Sequence, residues 1–121
     1  AAIAFELVAR GVVSAAGVSV VRLAGELEIG RKAEIRDALQ LRGSERSVLI
    51  DFSQVTYADS TALAELLRFR ADAQRREIPI AVLVGSPQLD RIVQYAGLSQ
   101  AIPIFHERSE ALAHLCQGRG S

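Results

Sequence analysis

The stretch Asp51–Leu67, DFSQVTYADSTALAELL, decides the fold and carries the candidate site. It passes from a buried apolar strand, through a short polar loop, into a helix with apolar residues at helical spacing. Asp59, Ser60 and Thr61 stand where that helix begins. Each is a capping type, because a side-chain oxygen can accept a first-turn N–H. A phosphate on a hydroxyl there would face the same N–H groups. Cap and phosphorylation switch are both open from these residues. Three successive capping types exceed the need of one helix end. The reciprocal capping box is missing, since Leu63 and Ala64 stand where Glu or Gln would reach back.

Upstream, Ser47–Phe52 holds Val48, Leu49 and Ile50 in succession, a central strand covered on both faces. Downstream, the spacing predicts a helix over Thr61–Arg76 that buries Leu63, Leu66 and Leu67 and leaves its arginines in water. Pro79 stops it, and Ile80–Val84 is the next buried strand. Gly85-Ser86-Pro87 reads as a strand exit, an N-cap and a first-turn proline. A helix with Leu89, Ile92, Val93 and Ala96 inward follows, ending at Gly97. Ile102–Phe105 is a short strand, and Glu107–Cys116 closes the domain as a helix using Leu112 and Leu115.

Towards the N-terminus, Ile3–Val8 alternates as an edge strand, Gly11–Gly17 turns, and Val18–Leu23 returns. After the acidic segment GELEIG, Gly25–Gly30, a helix is expected over Arg31–Leu41 with Ile35, Ala38 and Leu39 inward. Gly43 and Ser44 end it. A hairpin followed by strand–helix alternation means an α/β fold, a mixed β-sheet flanked by about four helices. Residues 1–117 form one domain, and 118–121 are expected as a disordered tail.

A chain of 121 residues, half of them hydrophobic, can bury one core. Its 14 basic and 14 acidic side chains cancel, which gives no electrostatic case for nucleic acid or anionic lipid. The lone Cys116 cannot close an internal disulfide, as suits a reducing compartment. No apolar run suggests membrane insertion and no leader pattern is read, so the cytoplasm is the expected location. The chain begins at Ala1, as a trimmed or excised segment would.

Other chemistries find less support. A serine nucleophile at Ser60 needs a base and an orienting carboxylate, but His106 and His114 both lie near the last helix. The flanking glycines of a nucleophile elbow are absent, so no catalytic residue is assigned. His106, Glu110 and His114 could share a helical face, yet their spacing matches no compact metal motif. No neighbouring cationic cluster marks Cys116 as a redox thiol. Glu26 and Glu28 alternate at a strand end and would point together to solvent or a partner. No GxxxxGK loop cradles phosphates, so no cofactor or metal is expected.

The order of hairpin, GELE, helix, VLIDFSQVTYADSTAL, helix, strand with GSP, helix ending YAGL and short strand resembles the STAS domain. It is particularly similar to the bacterial anti-sigma factor antagonists, from about Phe5 to Leu115. The resemblance implies a mixed sheet flanked by helices and a non-enzymatic role. It also implies phosphorylation at Thr61, with Asp59 as the acidic neighbour and Ser60 as the secondary candidate. Many antagonists carry Ser at the Thr61 position, Gly at that of Ala62 and Asp at that of Glu28. The implied partner-binding surface is Glu26, Glu28, Asp59, Ser60, Thr61 and Ala62. The implied partner is an anti-sigma factor that is also a serine/threonine kinase and binds the ATP itself. A phosphatase would reset the switch. STAS domains also serve as accessory subunits of lipid-importing ABC systems and as tails of anion transporters. A scaffold in a stress-sensing complex is a further alternative.

Overall fold

Among the described residues the apolar runs become strands and helix faces of one sheet-centred structure. The computed structural model describes the backbone of residues 8–13 and 17–120 and the side-chain surroundings of 17–116. The elements are β1 (Val8–Val13), β2 (Ser19–Leu27), α1 (Lys32–Ala38), β3 (Val48–Ala58) and α2 (Ser60–Arg75). They continue with β4 (Ile80–Val84), α3 (Pro87–Tyr95), β5 (Ile104–Phe105) and α4 (Arg108–Gly120). Single 3-10 turns, Ile29–Arg31 and Leu98–Gln100, precede α1 and β5. The strands lie in the order β1-β2-β3-β4-β5. β1 is antiparallel to β2, and every other pairing is parallel. The mixed α/β architecture is the one expected.

Both faces of the sheet are covered, which is why β4 is buried along its whole length. On one face Val48, Ile50, Phe52, Val55 and Ala58 of β3 pack with Ile35 of α1, Leu66 and Phe69 of α2, and Leu89 and Val93 of α3. On the other, Leu49, Ala81 and Leu83 meet Ala111 and Leu115 of α4. Asp51 of β3 is buried and ties three elements together. Its Oδ2 accepts Arg22 Nε from β2 and Arg108 Nη1 from α4, each at 3.2 Å. Its Oδ1 accepts the Ser53 N–H at 2.9 Å. Burial pushes the Asp51 carboxyl up, but the hydrogen bonds from Ser53 and Arg22 outweigh it and hold the group below its ordinary value.

Several boundaries differ from those the sequence predicts. Gly11, Val12 and Val13 belong to β1 rather than to a turn, because Val12 pairs with Val20 and Val13 with Ser19. Ile3–Leu7 of the expected edge strand lie outside the described residues. The expected loop after Phe52 is strand as far as Ala58. Its register against β2 slips between Arg22 and Ala24 and again between Gly25 and Glu26. β3 therefore holds an extra residue at two places, and adjacent residues such as Thr56 and Tyr57 are both exposed. Polar residues at those irregularities give the strand the look of a loop.

α1 stops at Ala38 because Leu39 leaves helical geometry at ψ 60°, and its carbonyl accepts Arg68 Nη2 at 2.9 Å. The buried stripe of α2 is Ala62, Leu66, Phe69 and Ala73, with Leu63 only half-buried. Leu67 is turned roughly 100° from Leu66 and is exposed. Ala96 follows the last residue of α3 and is exposed, not inward. β5 keeps only Ile104 and Phe105 of the expected strand. α4 continues past Cys116 to Gly120, where a tail was expected. Ser121 lies outside the described residues.

Candidate functional site

The β3–α2 junction is built around Asp59. Its backbone is extended at φ −99° and ψ −174°, and its carboxylate caps α2. Oδ1 accepts the N–H of Thr61 at 2.9 Å and of Ala62 at 3.3 Å. Oδ2 accepts the N–H of Ile29 at 3.0 Å, from the loop that joins β2 to α1. The Asp59 N–H donates to the Leu27 carbonyl at 3.0 Å. One side chain thus caps a helix and fastens a neighbouring loop to it.

The two hydroxyl residues follow immediately. Ser60 is exposed and Thr61 is half-buried. Both line a depression of about 370 Å³ together with Lys32, Ala64 and Glu65. Ala62 is 2% exposed and packs into the core, so its side chain adds nothing to an outer surface.

Glu26 and Glu28 reach the same end of the sheet through the parallel pairing of β2 with β3. Glu26 pairs with Tyr57 and Leu27 with Ala58. Gly25, at φ +80°, takes the backbone turn at the register slip, a conformation that suits glycine. Arg31 Nη1 donates to the Glu26 carbonyl at 2.9 Å, and the Arg31 N–H donates to the Glu28 carbonyl at 2.9 Å. Both carboxylates are exposed, although Glu28 lies beyond the end of β2.

Below this surface sits a buried carboxylate that the sequence analysis does not single out. Glu65 accepts Arg36 Nη2 at 2.8 Å, Arg36 Nε at 3.1 Å and Arg68 Nε at 2.9 Å. The Arg36 hydrogen bonds hold its carboxyl below the ordinary value against the opposing effect of burial, with Arg68 adding to them. The same pairing raises the Arg36 guanidinium further. Ile29 and Tyr57 were missed as well, at 70% and 46% exposed. An isoleucine between Glu28 and Gly30 in a loop was the readable signal for the first. Tyr57 was hidden inside a presumed polar loop.

The remaining candidates scatter. His106 lies before α4 and pairs with Asp90 Oδ1 at 2.8 Å. His114 sits against the Phe105 ring, with centroids 5.2 Å apart. With His106 outside the helix, the expected shared face with Glu110 does not form. Cys116 is half-buried beside the α4 cluster. Among the described residues no three His, Cys, Asp or Glu side chains are grouped to hold a metal, and no helix is long and apolar enough to cross a membrane.

Comparison with known proteins gives this geometry its context. A family model described as "Mlab, STAS domain" matches residues 11–106. An anti-sigma factor antagonist from Mycobacterium paratuberculosis is similar in structure at 22% identity and a TM-score of 0.75, covering 89% of this chain and 93% of its own. A sulfate transporter family protein from Wolinella succinogenes is similar at 18% identity and a TM-score of 0.76, covering 92% and 93%. The Bacillus cell fate determinant SpoIIAA in its phosphorylated form is similar at 20% identity and a TM-score of 0.60, covering 89% and 98%. A search of curated proteins returns no match. The chain belongs to the STAS domain family.

Proposed function

We propose that this STAS domain is an anti-sigma factor antagonist switched by phosphorylation of Thr61, with its partner both the binding target and the kinase. The observation that carries the reading is the β3–α2 junction. There two hydroxyls and two exposed carboxylates, Glu26 and Glu28, gather beside the exposed Ile29 and Tyr57. An apolar anchor rimmed by polar groups is the usual anatomy of a protein interface. Support also comes from the likeness in fold to antagonists, one of them solved in a phosphorylated form.

Unmodified, the junction docks the anti-sigma factor in the cytoplasm and frees its sigma factor for transcription. The Thr61 hydroxyl then attacks the γ-phosphorus of ATP held by the partner. ADP leaves, and the hydroxyl proton passes to a base of the kinase. The phosphate adds roughly −1.5 to −2 charges to a surface that already carries carboxylates. A coupling of about 3 kcal/mol from repulsion and desolvation weakens binding more than a hundredfold. The domain itself remains folded, because negative charge is tolerated at a helix N-terminus. A phosphatase returns it to the binding form.

Incubation with a candidate kinase and ATP, followed by mass spectrometry, tests the reading. Modification should map to Thr61 and vanish in Thr61→Ala, which still binds. Thr61→Glu should bind poorly. Equal labelling of wild type and Thr61→Ala would remove Thr61 from the mechanism and turn attention to Ser60. A second reading, an accessory subunit or domain of a membrane transporter, is favoured by the "Mlab" family description and the sulfate transporter likeness. Recovery of an ABC nucleotide-binding subunit in a pull-down, in place of a kinase, would select it.

A further inference from the structure

Resting on the reading of Thr61 as the modified residue, we propose that Lys32 is the receptor for its phosphate. The phosphothreonine and the Lys32 ammonium would form a cross-helix pair that joins the start of α1 to the start of α2.

The geometry follows from the sheet. α1 follows β2 and α2 follows β3, which are parallel neighbours, and both helices pack on the same face. The two helices therefore run alongside in the same sense. Their contact already contains one charged pair, Arg36 of α1 bidentate to Glu65 of α2. Residues four apart on a helix lie on one face, one turn from each other. Stepping back one turn on both helices leads from Arg36 to Lys32 and from Glu65 to Thr61. Both side chains line the same depression. The upper rung sets a cation opposite an anion; the lower sets a cation opposite a neutral hydroxyl. Phosphorylation supplies the missing charge.

The surrounding charges favour Lys32 over its neighbours as receptor. Arg36 and Arg68 are engaged with Glu65, and Arg68 also holds the Leu39 carbonyl. Asp59 and Glu65 are the anions that flank Thr61, and both repel a phosphate. The exposed Lys32 is the cation that the depression itself presents. It follows directly after the Ile29–Arg31 turn. Capture of Lys32 would thus carry the modification from α2 to the loop that bears Glu28 and Ile29.

The test places phosphothreonine at position 61 during translation, so that no kinase is involved, and follows the phosphate by phosphorus NMR as pH is varied. A neighbouring cation stabilises the dianion and lowers the second phosphate pKa from its usual value of about 6. Asp59, Glu65 and the first-turn N–H groups of α2 act alike in every variant, so for an exposed pair the parent value is expected about half a unit below that of Lys32→Ala. Lys32→Arg should restore the parent value. Identical titration of the parent and Lys32→Ala proteins would overturn the pairing. Because the phosphate is installed directly, this result stands apart from kinase mapping. A kinase that modifies Ser60 would sink the switch at Thr61 and leave the pairing measured.

Discussion

The β3–α2 and β4–α3 junctions have the same construction and different finishes. Each leads from a buried strand to a side-chain cap. Asp59 caps α2, while Ser86 Oγ accepts the Leu89 N–H at 3.0 Å to cap α3, with Pro87 in the first turn. Aligning the caps sets Thr61 against Gln88, Ala64 against Arg91 and Glu65 against Ile92. The corresponding grooves follow the same correspondence. Thr61, Ala64 and Glu65 line the first with Lys32; Gln88, Arg91 and Ile92 line the second with Leu63 and the nearly fully exposed Tyr95. The first groove is polar over about half its lining, and the second is mostly apolar. A cap alone does not mark a candidate site; the two junctions differ in what faces the second residue of the helix.

The junctions also differ in how tightly they are closed. Gly85 occupies the place that Ala58 takes at the first junction. A Cβ at Gly85 would stand 2.8 Å from the Ser53 carbonyl oxygen and 2.9 Å from its Cα, so backbone would have to move. Gly85→Ala should therefore cost about 2–3 kcal/mol, measured by urea unfolding. A smaller change would mean that the β4–α3 junction is as yielding as the other. Next in size, Asp59→Ala should cost about 2 kcal/mol and Ser86→Ala about 1 kcal/mol. The excess at Asp59 is attributed to its bond to the Ile29 N–H, and equal losses would deny that bond a share.

The charge difference between the grooves has its own signature. The Glu65 carboxyl lies below its ordinary 4.5 when folded. Its contribution to stability is complete above that value and is lost as pH falls through the lower folded value. Glu65→Gln should flatten the stability profile on that acid limb, read from unfolding midpoints at successive pH values. The smallest effect belongs to Thr61→Ala. Asp59 uses the Thr61 N–H and not its hydroxyl. Stability should stay within about 0.5 kcal/mol of the parent, as for surface changes generally. A large loss would make Thr61 a structural residue.

Much of this is legible in the sequence. Val48, Leu49, Ile50 and the run Ile80–Val84 announce buried strands because apolar runs of that length need cover on both faces. Ser86-Pro87 and Asp59 announce helix starts because their chemistry is local. Pairings between distant segments were not legible. No periodicity says that Asp59 also receives the Ile29 N–H, or that Arg36 and Arg68 converge on Glu65. The choice of Leu66 and Phe69 over Leu67 for burial depends on how α2 sits on the sheet. The extension of β3 was lost for a related reason: its partner strand fixes the irregularities that break its alternation.

From Val48 the core-facing residues of β3 fall on alternate positions to Phe52, then on every third to Val55 and Ala58. The first extra residue changes which alternate positions face the core, and the second changes them back. Removing a single residue at either irregularity would restore simple alternation there and leave Ala58 facing inward opposite Leu27. Removing one at each irregularity would also keep the reading frame of the faces intact. The position of the candidate site is thus specified by which residues of β2 and β3 are paired, and not by how many residues lie between them.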